Sequence, residues 1–206
     1  MSSMITMPNS PKSPLTITEA AQFFDNHSEE LLKDYRSIKD LLRNAEITKP
    51  VANSNYLHAL MLTDLMIEET GHQFRMLTGG AICGFLKTLE DSFTEMLDRF
   101  TSSRKRGGSS FARILVVDGS DEHGLLEGLK TRFPEVVDYR FATAPKDAKF
   151  KHFIVGDEDM VRDEDFHAPI MQDSPADMIK AEVSFFDPSK AKVFASRFDT
   201  FWTAVA

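Results

Sequence analysis

The stretch ARILVVDG, Ala112–Gly119, decides the fold of this chain. Its aliphatic residues Ile114–Val117 make a nearly continuous apolar run, which is typical of a strand buried on both faces of a sheet. An amphipathic helical pattern, FLKTLEDSFTEMLDRF, precedes this strand, and a second one, DEHGLLEGLKTRF, follows it. Because such helices must bury their apolar sides against the sheet, the stretch predicts an α/β fold.

The other segments extend this alternation of helices and strands. A helical pattern, NYLHALMLTDLMIEET, comes before the first strand, and the helix DPSKAKVFASRFDTFWTAV closes the chain. The further strand-like segments are HQFRMLT, VVDYRFA, AEVSFF and the core of KFKHFIVGDEDMVRDEDFH. The acidic second half of that last stretch is interpreted as a solvated loop. The order of elements predicts an α-β-α sandwich around a mixed sheet.

The N-terminal part has a different composition. Residues 1–15 are rich in Ser and Pro, which predicts a disordered tail. Thr16 and Glu19 have the spacing of a helix capping box, and they open the first of two short helices that end before Pro50. The sequence therefore predicts a helical appendage over residues 16–50 and an α/β domain over residues 51–206.

Charge and composition limit the classes of partner. The net charge of −8 argues against nonspecific coating of DNA or of an anionic membrane. No stretch approaches the roughly 20 apolar residues of a membrane helix, and the N-terminus lacks the apolar core of a signal peptide. Cys83 is the only cysteine, and it is expected to be a buried small residue in a reducing compartment. These features predict a soluble, cytoplasmic protein.

From residue 53 onward the chain resembles the phospholipase D-like superfamily. The resemblance rests on the turn Arg106-Gly107-Gly108, on the strand that follows it, and on the ending AEVSFFDPSKAKVFASRFDTFW. That ending is similar to the superfamily's closing unit, which is a strand bearing a glutamate followed by an Asp-Pro helix start. The resemblance implies a single phospholipase D-like domain.

The superfamily's active site is a strand reading His-x-Lys-x-x-x-x-Asp, followed by a Gly-Ser-x-Asn turn. In the register that places Asp157 at the motif aspartate, Phe150 takes the nucleophile position and His152 takes the lysine position. The turn falls on residues 164–167, with His167 at the asparagine, and Glu182 matches the glutamate of the later strand. The resemblance implies His152, His167, Asp157 and Glu182 as the candidate catalytic residues.

The departures from this motif matter for function. Phenylalanine cannot attack phosphorus, and carboxylates beside the pocket would repel a phosphodiester. We therefore expect a catalytically degenerate domain that acts as a binding or regulatory protein, as a homodimer and with no cofactor. The alternative is an active phosphodiesterase or nuclease with a rearranged site using His152 and His167. A third possibility is an adaptor that docks a protein partner through the N-terminal helices.

Other charged groups have two interpretations each. His152, His167 and the nearby carboxylates have a composition that suits a metal, but no recognised ligand spacing, so no metal is predicted. Arg162 either neutralises neighbouring carboxylates or binds an anion. The loop cations, Arg104, Lys105 and Arg106, are either solvated or contact a nucleic-acid phosphate, although no aromatic residue lies among them.

Overall fold

The computed structural model describes residues 15–53, 55–79, 82–121, 124–144, 150–165 and 171–205, without the side chains of 82–84. The predicted disordered tail therefore lies outside the described residues, except for its last residue, and so does His167. The side chain of Cys83, predicted to be buried, is also outside them.

The described chain alternates helices and strands as the sequence predicted. The helices are α1 (Ile17–Asn44), α2 (Tyr56–Glu69), α3 (Ile82–Thr88), α4 (Glu90–Lys105), α5 (Leu125–Arg132) and α6 (Pro188–Ala204). The strands are β1 (Val51–Asn53), β2 (Gln73–Thr78), β3 (Phe111–Val117), β4 (Val137–Ala142), β5 (His152–Gly156), β6 (Met160–Glu164) and β7 (Ala181–Ser184). Over these residues, no helix has both the length and the apolar character needed to cross a membrane.

All seven strands join one mixed sheet in the order β1-β7-β6-β5-β2-β3-β4. Strands β2, β3 and β4 are parallel, and β5, β6, β7 and β1 pair antiparallel with their neighbours. The fold class is the predicted one, but the prediction of an acidic loop after β5 is wrong. Residues 160–164 form β6, which pairs with both β5 and β7.

Helices cover both faces of the sheet. The larger core packs α1, α2, α4 and α5 against one face, with Phe74, Ile114 and Ile154 of the sheet at its centre. The smaller core packs α6 against the other face, where Phe198 and Trp202 cover Leu115 and neighbouring residues. Successive strand residues alternate between the two cores because side chains of a strand point to opposite faces. The sandwich predicted from the sequence is therefore confirmed.

The N-terminal segment is one helix, so the prediction of two short helices is wrong. No glycine or proline occurs between Ile17 and Asn44, and nothing in that stretch stops the helix. The capping box is present, since Glu19 N donates to Thr16 Oγ1 at 3.2 Å and Thr16 N donates to the Glu19 carboxylate at 2.8 Å. Phe24 of α1 lies in the larger core together with residues of α2, so α1 packs into the sandwich.

Candidate functional site

Three ionisable side chains meet on the face of the sheet that carries the larger core. His152 of β5 stands directly opposite Glu164 of β6, and Arg162 is the next residue of β6 on the same face. His152 Nδ1 lies 3.6 Å from Glu164 Oε1, and the Arg162 guanidinium donates a short hydrogen bond to Glu164 Oε2. We call these three residues the His152 cluster.

The Arg162–Glu164 pair is buried. The two side chains are 4% and 8% exposed. The Arg162 guanidinium lies 5.6 Å from the centre of the Phe85 ring, and Tyr56 packs edge-on against the same ring. Burial raises the pKa of Tyr56. Within the described part of the chain, Nε of Arg162 is buried without a hydrogen-bond partner. Arg162 thus neutralises a carboxylate, as one of its two interpretations expected.

The second ring nitrogen of His152 faces the backbone of Gly79. A Cβ built on Gly79 would lie 3.1 Å from Nε2 of His152, which is tighter than an ordinary contact. The His152 side chain is 19% exposed. Glu164 therefore occupies the Nδ1 side of the ring, and the end of β2 crowds the Nε2 side.

Asp157 lies at the far end of β5 and has a structural task. Its carboxylate accepts backbone N–H bonds from Gly71, His72 and Gln73 at 2.8, 2.8 and 2.9 Å. Asp157 itself adopts a left-handed conformation with φ +52°. These bonds fix the turn between α2 and β2, so the structure does not bring Asp157 to His152.

Glu182 points away from the His152 cluster. It pairs in register with Asp163, and residues directly opposite each other on paired strands share a face, here the one under α6. On that face Lys190 Nζ lies 2.5 Å from Asp163, and Lys151 Nζ lies 3.4 Å from it. Lys151, which precedes His152 in sequence, is thus engaged on the other face.

The prediction that Arg104 and Lys105 lie in a loop is wrong, because both are in the last turn of α4 and Arg106 caps that helix. Arg104 donates to the Ser110 carbonyl at 3.4 Å. Arg106 lines a cavity of about 430 Å³ with His72, Asp98 and Arg99 among its other walls. A larger groove of about 980 Å³ runs along α6. His152 lines neither of these two cavities.

The carboxylates considered for a metal site are dispersed. Asp159 pairs with Arg43 of α1 at 3.2 Å, and its burial raises its pKa. Among the described residues, no group of three or more His, Cys, Asp or Glu side chains is placed to hold a metal ion. His167 follows Glu164 by three positions and lies outside the described residues, so its role stays a prediction.

Sequence reasoning placed Glu164 in a solvated loop and missed its pairing with His152. The sequence carries no clear signal for this strand, because MVRDE has two apolar residues followed by three charged ones and so lacks the apolar–polar alternation of a half-buried strand. Asp and Glu are also depleted in strands.

Comparison with protein-family models and with curated proteins finds no match for this chain. Solved structures do match. TrmBL2, an archaeal chromatin protein with a novel mode of DNA binding, matches 90% of this chain and 67% of its own, with 15% identity and a TM-score of 0.52. Nuc from Salmonella typhimurium, a phospholipase D family member, matches 75% of this chain and 95% of its own, with 16% identity and a TM-score of 0.45. NucT from Helicobacter pylori matches 74% and 94%, with 8% identity and a TM-score of 0.39.

At these identities the likeness concerns the fold. The match to TrmBL2 is a likeness of fold over the matched residues.

Proposed function

We propose that the chain is a catalytically inactive domain of phospholipase D-like fold that acts by binding, as a regulatory or adaptor protein. One observation carries the proposal. The strand residue that should sit beside a reacting phosphate, His152, has a buried glutamate–arginine pair on one side and the Gly79 backbone on the other.

Phosphodiester chemistry of the superfamily type needs a nucleophilic imidazole and cations that hold the phosphate oxygens. Here Arg162 already donates to Glu164, and the negative charge of Glu164 lies beside the imidazole. Lys151 pairs with Asp163 and Asp165, so it is also engaged. The cluster therefore lacks a cation that is available to a phosphate among the described residues.

DNA is the first ligand to test, because TrmBL2, which shares the fold, binds DNA. The net charge of −8 opposes nonspecific binding, so any DNA contact must use a local basic surface. We also propose self-association into a homodimer. The adaptor version uses the outer side of α1, where Ile38 and Leu41 are 44% and 63% exposed.

The second candidate is a phosphodiesterase that uses His152. It is favoured by the contact of Nδ1 with Glu164, since a carboxylate on one ring nitrogen orients the other as a nucleophile. For catalysis, the imidazole of His152 would have to move so that Nε2 is clear of Gly79 and can contact the phosphorus atom.

Labelled single-stranded and duplex DNA separates the two candidates. The protein is incubated with each, with and without a divalent metal, and the products run on native and denaturing gels. If the protein is inactive, the DNA stays intact in every lane, and the wild type and His152→Ala give the same result. Cleavage that His152→Ala abolishes, and that the matched variant His72→Ala keeps, would establish the phosphodiesterase instead.

A further inference from the structure

A cationic surface lies at the end of α6, on the face of the sheet opposite the His152 cluster. Two arginine side chains pack on the ring of Trp202, with guanidinium carbons 4.3 Å (Arg140) and 5.5 Å (Arg113) from its centre. Arg113 also lies 4.6 Å from the centre of the Phe111 ring. We call Arg113, Arg140, Trp202 and Phe111 the Trp202 patch.

The sheet register brings the two arginines together. Arg113 of β3 is paired with Asp138 of β4, and Leu115 is paired with Arg140. The arginines are therefore diagonal neighbours on one face, where α-carbons are about 7–8 Å apart. Side chains as long as arginine can converge on one ligand across that distance.

Arg113 has donors to spare. Its nearest carboxylate, Asp199, is 4.0 Å away, and within the described ranges the Arg113 side chain makes no hydrogen bond although it is only 37% exposed. Asp199 instead pairs with Arg75 at 3.1 Å. Asp138, the other facing carboxylate, accepts from the backbone N–H of Tyr139 and lies 3.6 Å from Lys130.

Arg140 is only partly engaged. One of its terminal nitrogens donates to the Trp202 carbonyl at the end of α6. A guanidinium that lies over an aromatic ring keeps its other N–H groups available to a ligand. Both guanidinium groups thus lie over aromatic rings, and N–H groups of each are left for an oxyanion.

We infer that the Trp202 patch binds a phosphate group held by Arg113 and Arg140. A guanidinium fork matches the spacing of two phosphate oxygens, and a tetrahedral phosphate can offer oxygens to two forks that approach from different directions. Trp202 is 6% exposed, so it serves as the platform for the arginines and does not stack on a base. The inference deepens the proposed binding function by naming the chemistry of its ligand, and it rests on that function only for its biological meaning.

Trp202 reports on the site because it is the only tryptophan of the chain. Inorganic phosphate is titrated into the full chain at constant ionic strength while Trp202 emission is recorded, and calorimetry gives the affinity independently. We expect saturable binding that weakens at least tenfold in both Arg113→Gln and Arg140→Gln. Arg113→Lys, which keeps the charge but loses the fork, should bind with intermediate affinity.

Arg132 supplies the matched control. It also lies over an aromatic ring, 4.9 Å from the centre of Phe133, and its side chain is 59% exposed. It belongs to α5, which packs on the face of the sheet opposite Trp202. Arg132→Gln should leave phosphate binding unchanged. Circular dichroism of each variant confirms that it is folded before its affinity is compared.

A competition arm identifies the source of the phosphate. If single-stranded DNA displaces inorganic phosphate from the wild type, the ligand is a nucleic-acid backbone; if it does not, the ligand is a small phosphorylated molecule. Both results support the site. The inference is overturned if wild-type protein shows no saturable phosphate binding, or if Arg113→Gln and Arg140→Gln bind as tightly as Arg132→Gln. The DNA cleavage experiment on His152 does not depend on these arginines, so failure of the site and failure of the proposed function are distinguishable.

Discussion

Removal of Glu164 should destabilise the protein strongly. In Glu164→Ala the Arg162 guanidinium keeps its buried position, with a side chain that is 4% exposed, but loses its hydrogen-bonded carboxylate. Breaking a buried ion pair from one side costs about 3–5 kcal/mol, because an uncompensated charge remains in the core. Since 1.4 kcal/mol is a factor of ten, the loss corresponds to a decrease of about 100- to 4,000-fold in the folding equilibrium constant.

The double variant Arg162→Met/Glu164→Leu provides the control. It removes both charges and replaces them with apolar groups of similar volume, which is neutral or even stabilising for many buried pairs. The Nε of Arg162, already buried without a partner among the described residues, favours that outcome. Urea unfolding followed by Trp202 fluorescence gives the free energy of unfolding for each variant.

Two results would refute this reasoning. A loss below about 1 kcal/mol in Glu164→Ala would mean that water reaches Arg162 and that the pair is not effectively buried. A double variant as unstable as Glu164→Ala would mean that Glu164 stabilises the fold through contacts other than the one with Arg162. A neutral double variant would instead show that the fold does not need the charges of this pair.

Three further predictions concern other positions. Asp157→Ala removes the acceptor of three backbone N–H bonds and should lower the free energy of unfolding by about 3 kcal/mol in urea, whereas Glu158→Ala on the exposed neighbour should change little. Gly79→Ala should displace the His152 ring, visible as shifted imidazole resonances in NMR; unchanged resonances would contradict the contact at 3.1 Å. Burial raises the pKa of Asp64 to about 6, so the contribution of this carboxyl to stability is complete below about pH 4, and about 3 kcal/mol of it is lost as pH rises through 6. This part of the pH dependence should vanish in Asp64→Asn.

The sequence predicted those parts of the fold whose local pattern agrees with their burial. The apolar run of β3 and the broad apolar side of α4 follow from period and hydrophobicity alone. Strand β6 was not predicted, because its residues have a low strand propensity that tertiary pairing overrides. Glu164 and Arg162 neutralise each other in the core. The short strand β1, which pairs with β7 through only three residues, carries too little pattern to be predicted.

The sequence suggested which residues form the candidate site, but it could not predict how they are arranged in space. The resemblance to the superfamily's motif suggested His152, Asp157 and Glu182, but their faces and ends are set by strand register, which requires the partner strand. The structure puts Asp157 at the far end of β5 and Glu182 on the opposite face. The Trp202 patch was missed for the same reason, because Arg113 and Arg140 are far apart in sequence and meet only when β3 and β4 pair.

The central claim is that His152 does not attack phosphorus. The most direct test mixes bis(p-nitrophenyl) phosphate with an excess of protein and follows the release of p-nitrophenolate by its absorbance, with metal and with chelator. If the protein is inactive, p-nitrophenolate is released no faster than in buffer alone. Release of one equivalent per substrate in the presence of chelator, lost in His152→Ala and kept in His72→Ala, would contradict it.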